Sequence, residues 1–192
     1  MRPKPARPFF TGKASVAIAL ALFVSGCQDK GDDGATTTEA SSANADTVTA
    51  ALGNNADLST SAKMIKAAQL NTALDGAGSY TLFMPVDSAW SSLGAAERAA
   101  LESPETKPQL VAVLRQHIAP GYVLATDLDK GLAAKDGTVK LTTMGTAPIS
   151  LRREGDAIML GASGDAPRIV GKPIIAGDNV IYRIDKLIPP AS

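Results

Sequence analysis

The sequence predicts an α+β fold, with a helical first half packed on a sheet or sandwich drawn from the second half. Two observations carry this. From Thr47 to Pro120 the apolar residues recur mostly at helical spacing, and after Gly121 they alternate in short runs broken by Gly, Asp, Pro and Asn clusters. A chain whose helices precede its strands packs its helical faces on the inward side chains of the sheet. The stretch from Thr47 to Pro190 has the size of one domain and is long enough to bury a core. Aromatic residues make up only 4% of the chain, so aliphatic side chains must fill that core.

Taken in order, Leu58, Ala62 and Ile65 predict a first helix. The apolar run Thr81 to Val86 then reads as a strand. Asp87 or Ser88 is placed to cap a short helix containing Trp90 and Leu93. Leu110, Val113, Leu114, His117 and Ile118 sit at i, i+3, i+4, i+7 and i+8, with Ser103, Pro104 and Thr106 as start signals and Pro120-Gly121 as the stop. Strands are expected at Tyr122–Leu124, Val139–Thr142, Ile149–Leu151, Ala157–Leu160 and Val180–Ile184, with Glu154-Gly155-Asp156 as a hairpin tip.

The residues ahead of this domain read differently. Arg2, Lys4, Arg7 and Lys13 precede an apolar stretch from Ala14 to Val24, which is too short for a membrane span of about 20 residues. Residues 1–26 therefore read as a signal peptide. Val24-Ser25-Gly26-Cys27 resembles a bacterial lipobox, in which small residues fit the peptidase and the cysteine is lipidated. Cys27 is the sole cysteine, so no intrachain disulfide or multi-cysteine metal site can form. Residues 27–46 carry Asp29, Asp32, Asp33, Glu39 and Asp46 against Lys30, and residues 28–46 have no large apolar side chain. Such a segment cannot offset its ordering entropy and is expected to act as a flexible acidic tether, spanning roughly 25 Å as a coil. The remainder is balanced in sign, with no basic stripe for a phosphate backbone, so nucleic acid is not an expected partner.

Motifs for chemistry are sparse. His117 is the single histidine, and its spacing puts it on the apolar helix face with Leu110, Val113 and Leu114, where its nitrogens would bond nearby backbone. With one histidine and one lipidated cysteine, a zinc site would need three or four carboxylates, and no metal is expected. Gly161-Ala-Ser163-Gly164-Asp165 departs from G-x-S-x-G at its last position and lies among turns. Gly76-Ala-Gly78 precedes a strand, unlike a phosphate-binding loop. Asp127-Leu-Asp129-Lys-Gly131 begins like a calcium loop, but Leu132 and Thr138 stand where glycine and glutamate belong, and it reads as a solvated loop. Arg152-Arg153 opposite Asp156 suggests a charged hairpin tip, Trp90 a core filler, and Asp185 an acid within an apolar closing strand that must find a donor.

Three stretches together resemble the fasciclin domain. Gly78-Ser-Tyr-Thr-Leu-Phe-Met-Pro-Val-Asp-Ser-Ala-Trp90 is similar to its first block, Leu114-Arg-Gln-His-Ile-Ala-Pro-Gly121 to its central segment, and Asp178-Asn-Val-Ile-Tyr-Arg-Ile-Asp-Lys-Leu-Ile-Pro-Pro190 to its closing block. Thr81, Phe83, Pro85, Asp87, His117, Pro120, Gly121, Asn179, Tyr182 and Asp185 fall at motif positions with expected structural roles. Three positions depart from the pattern. Gln116 stands where tyrosine is common beside the histidine, Asn179 replaces the turn glycine, and Tyr182 replaces a histidine. Asn tolerates positive φ, which would preserve the turn.

The resemblance implies a wedge-shaped domain that is secreted or surface-attached, binds protein or matrix partners, and carries out no chemistry and holds no cofactor. Combined with the lipobox, it leads us to expect a non-catalytic adhesion module on a bacterial envelope. The module would be held to the membrane by lipid on Cys27, with an envelope or matrix protein or a polysaccharide as partner. Gln28 after the cysteine resembles the pattern sent to the outer membrane of a two-membrane cell. Two other classes stay open: a carrier of an apolar pigment or lipid, using a cleft between helix and sheet, and a hydrolase pairing Ser163 with His117.

Overall fold

The computed structural model describes residues 45–134, 136–162 and 164–189. The expected signal peptide, Cys27, most of the expected tether, Ser163 and Pro190 lie outside the described residues. The last two tether positions do not. Ala45 is buried and pairs in parallel with Ala176, so the described fold begins two residues before the expected boundary.

Helix α1 (Val48–Asn54) starts at Thr47, whose Oγ1 accepts the Ala50 N–H at 3.1 Å. A 3₁₀ turn at Ala56–Leu58 leads into α2 (Ser59–Ala67), which buries Met64 and Ile65, and a single turn, α3 (Asn71–Leu74), follows. Strand β1 (Tyr80–Pro85) runs into α4 (Asp87–Ser91), then α5 (Ala95–Glu102), a Pro104–Thr106 turn and α6 (Lys107–Gln116). Strand β2 (Ile118–Pro120) and α7 (Ala125–Leu132) precede β3 (Thr138–Leu141), β4 (Ile149–Glu154), β5 (Ala157–Leu160), β6 (Ile169–Ala176) and β7 (Asn179–Ile184).

The strands form two sheets. The larger has the order β2-β1-β7-β6, with β1 and β7 paired in parallel at its centre and antiparallel strands at both edges; the smaller is the antiparallel meander β3-β4-β5. Both faces of the large sheet are covered, so its central strands carry continuous apolar runs, over residues 82–84 and 180–182, instead of alternating apolar with polar residues. Leu82 and Met84 of β1 and Ile181 of β7 face a cluster built with α1, α2, α4 and α6. The intervening Phe83, Val180, Tyr182 and Ile184 face a second cluster with the small sheet and with Leu128 and Leu132 of α7. Helices on one side and a meander with one helix on the other make this an α+β fold.

Several expectations change in detail. The helix expected to run through Ile118 to a stop at Pro120-Gly121 ends at Gln116, and Ile118 opens β2; Tyr122–Leu124 is coil. One strand too far along the chain was expected because Pro120, taken as a helix stop, is an edge-strand residue that needs no N–H for the ladder. Asp127–Gly131 belongs to α7, with the Asp127 carboxylate accepting the Leu124 N–H at 3.4 Å as a helix-start contact instead of lying in a loop. Thr106 and Ser103 give α6 no side-chain cap; the Thr106 hydroxyl turns back onto the Ala100 and Ser103 carbonyls.

Strand β6 escaped the sequence reading altogether. Its Gly171-Lys-Pro173 segment breaks the alternation, and the register against β7 shifts between Val170 and Ile174, as in a bulge. At Gly171, φ is +69° and the Arg183 guanidinium occupies the space a side chain would need.

Candidate functional site

His117 follows the last turn of α6 with no solvent exposure. Its Nε2 accepts the Ile188 N–H at 2.9 Å, so Nδ1 carries the proton and donates it to the Val113 carbonyl at 2.8 Å. Burial lowers its pKa to about 4, against the smaller opposing effect of the Val113 bond. The ring is therefore neutral near pH 7 and both nitrogens are engaged, leaving no free base. Its partners come from α6 and from the segment after β7, so the imidazole ties the chain's closing residues to the helix.

The other family positions are fasteners of the same kind. Thr81 Oγ1 donates to the Gly121 carbonyl at 2.8 Å and accepts the Val123 N–H at 3.0 Å. Gly121 has φ of +102°, which lets the chain turn out of β2 beside the exposed Pro120. Phe83 stacks on Tyr182 with ring centroids 5.5 Å apart, and the Tyr182 hydroxyl donates to the Val123 carbonyl at 2.9 Å. Burial, followed by the nearby Asp127 and Asp129, raises the Tyr182 pKa, which keeps the phenol a donor. Gln116, beside the histidine, instead donates from Nε2 to the Ala147 carbonyl at 2.8 Å and accepts the Ala147 N–H at 3.4 Å.

Two positions differ from their expected roles and a third, Asp185, differs in its place. Asn179 is not the positive-φ turn residue; Gly177 takes that conformation at +56°. Asn179 is buried at the start of β7, where Oδ1 accepts the Tyr80 N–H at 2.9 Å and Nδ2 donates to Ala176 at 3.1 Å. Asp87 caps a helix other than its own. Its carboxylate accepts the Thr60 N–H and the Ser59 hydroxyl, both at 2.7 Å, at the start of α2. Burial is the largest single effect and opposes ionisation, yet those bonds and Lys63 together outweigh it and hold the carboxyl below its ordinary value. Asp185 lies just past β7, outside the strand, where it accepts the Arg168 N–H at 2.9 Å and pairs with the Arg168 guanidinium at 2.7 Å.

Trp90 fills the core with no exposure, and its indole N–H donates to Ser61 Oγ at 2.8 Å while that hydroxyl donates to the Pro85 carbonyl at 2.6 Å. The arginines near the β4–β5 turn pair with Glu154 and with Asp129 of α7, not with Asp156. No group of His, Cys, Asp and Glu suited to a metal occurs among the described residues. No helix among them is long and apolar enough to cross a membrane.

A concave site adjoins this framework. A groove of about 450 Å³ lies between α6 and the 143–147 loop, with Val111, Ala112, Met144 and Ile188 among its apolar lining and Arg115 among its polar one. Sequence reasoning did not find it, because its two walls are about thirty residues apart in the chain and are brought together by tertiary contacts such as the Gln116–Ala147 bonds.

A fasciclin domain family model matches residues 56–190. The chain belongs to the fasciclin domain family. That span takes in every strand, all the helices after α1 and both aromatic partners of the β1–β7 stack. Among relatives of this fasciclin domain, Protein sll1483 of Synechocystis sp. (strain ATCC 27184 / PCC 6803 / Kazusa) is 26% identical over 181 residues, covering 94% of each chain. The transforming growth factor-beta-induced protein ig-h3 of Sus scrofa is 33% identical over 135 residues, which is 67% of this chain but 17% of the pig protein. In structure, the fasciclin domain pair of the insect cell adhesion molecule Fasciclin I matches with a TM-score of 0.56 and 21% identity. The match covers 74% of this chain and 50% of that one, a likeness of fold.

Proposed function

We propose that this chain is a non-catalytic binding and adhesion module of a bacterial envelope, anchored by lipid on Cys27 and facing away from the cytoplasm. The observation that carries the reading is membership of the fasciclin family across residues 56–190, directly downstream of a lipobox-like Val24-Ser25-Gly26-Cys27. The insect relative by fold is a cell adhesion molecule. The framework favours binding over chemistry, since the histidine a hydrolase would recruit is sealed between Val113 and Ile188. The partner is an envelope or matrix protein, or a polysaccharide.

The test compares the wild-type chain with Cys27→Ser in cells lacking the gene. Wild type should take up labelled acyl chain, sediment with membranes and restore cell-to-surface attachment. Cys27→Ser should do none of these while keeping the same folded domain by circular dichroism. Wild-type protein that carries no acyl label, or a serine variant that sediments equally well, removes the anchor. Attachment that is unchanged on deletion removes the adhesive role.

A further inference from the structure

The groove beside α6 is built, not left over. The Met144 N–H donates to the Ile118 carbonyl at 2.7 Å, Thr143 Oγ1 donates to Ala147 at 2.7 Å, and two bonds join Ala147 to Gln116. Gly145 lets the loop approach so closely that a Cβ there would lie 2.9 Å from the Gln116 Cα. The result holds Met144, an apolar side chain, at 37% exposure on the rim. Its volume lies within the roughly 300–1,000 Å³ of small-molecule sites. The charge of the lining is one-sided, because Arg115 is its only ionisable residue and makes no ion pair with any described residue.

We propose that this groove binds a single-chain amphiphile with a carboxylate head, of the fatty-acid class. The chain would lie along Val111, Ala112, Met144 and Ile188, and the head would meet the Arg115 guanidinium. An apolar chain gains by displacing water from this surface, and a planar guanidinium holds a carboxylate through two parallel bonds. A cationic head would face Arg115 with no acid in the lining to receive it. Methionine suits the rim because its unbranched, polarisable side chain adapts to chains of differing length. The site goes beyond the anchoring proposal, since its walls are formed by residues within 108–116, 144–146 and by Ile188 whether or not Cys27 carries lipid.

The test uses the full chain in phosphatidylcholine vesicles with a palmitic acid analogue bearing a diazirine on its tail, irradiated and mapped by peptide mass spectrometry. Label should fall on the peptides containing Val111, Ala112, Met144 or Ile188. Ala112→Trp, at an exposed position of α6, should cut that label by about tenfold with the melting temperature unchanged. Arg115→Gln should lower labelling by the acid several-fold and leave labelling by the matching fatty alcohol as it was. Label confined to other peptides, label indifferent to Ala112→Trp in the folded variant, or equal loss of acid and alcohol in Arg115→Gln would each overturn the proposal. None of these outcomes bears on whether Cys27 is acylated, so the two readings fail separately.

Discussion

A histidine with both nitrogens engaged by backbone makes folding sensitive to protons. The unfolded chain binds a proton on His117 near its ordinary pKa of 6.5, whereas the folded chain resists it until about 4. In that window the unfolded state holds more protons, so stability is whole above about pH 6.5, declines as pH falls, and stops declining below about pH 4. The span corresponds to about 3 kcal/mol, readable by urea unfolding as a function of pH. His117→Phe should flatten that slope and, by orphaning the Ile188 N–H, cost about 2 to 4 kcal/mol at pH 7. The lowered carboxyl of Asp87 acts in a more acidic window, losing its contribution as pH falls below its ordinary value of 3.8, so the two groups separate on the pH axis. Ser61 is a second sensitive point. Ser61→Ala strands both the Trp90 indole N–H and the Pro85 carbonyl in a site with no exposure, and should cost about 2 to 4 kcal/mol by the same measurement.

At the scale of elements, the end of α2 carries a local strain. Gln69 has φ of +59° and forms a Schellman close, with the Leu70 N–H on the Ile65 carbonyl at 3.1 Å and its own N–H on Lys66 at 3.0 Å. A left-handed non-glycine residue costs roughly 1–2 kcal/mol, part of which glycine gives back as unfolded-state entropy. Gln69→Gly should therefore raise stability by about 0.5 to 1 kcal/mol, seen as a higher urea midpoint with unchanged slope. The opposite arrangement holds at the β6–β7 turn. Gly177 already has the required φ, and a Cβ there would lie 2.7 Å from the Asp46 carbonyl oxygen, where the entering chain crosses the sheet edge. That contact and the Ala45–Ala176 bridge make residues 45 and 46 part of the sheet's edge, although their composition is that of a tether.

For the described domain as a whole, the large sheet is the shared wall of two apolar clusters, and its central strands are far apart in the chain. Strand β1 meets β7 about a hundred residues away, with Thr81 opposite Val180 and Pro85 opposite Ile184. The N-terminal helix closes one cluster. Val48, Ala51 and Leu52 of α1 have no exposure. A chain beginning at Ala45 should melt within about 2 °C of the full-length protein, whereas one beginning after Leu52 should be unfolded at room temperature. Losing two large buried aliphatic side chains at about 2–5 kcal/mol each consumes most of a stability of about 5–15 kcal/mol. Calorimetry of the two truncations checks this.

The sequence by itself determined the local features: the strand at Thr81–Val86, the amphipathic run through Leu110 and Leu114, the hairpin tip at Gly155 and the three blocks that resemble the fasciclin family. Each is written in neighbouring residues, as turn chemistry or as a period along a few turns of chain. Only the tertiary structure decided what those residues face. Asp87 reads as the cap of its own helix but serves α2, whose start comes 28 residues earlier, because folding brings Ser59 and Thr60 to its carboxylate. Strand β6 lacks a readable pattern because its register shifts between Val170 and Ile174, where Gly171 packs against the side chain of Arg183 from the neighbouring strand. The groove beside Arg115 is likewise invisible along the chain, since it comes into being only when α6 and the 143–147 loop are brought together over Ile188. Periodicity records which side of an element is apolar; the neighbour that covers it, or leaves it open, is set by contacts between residues far apart in sequence.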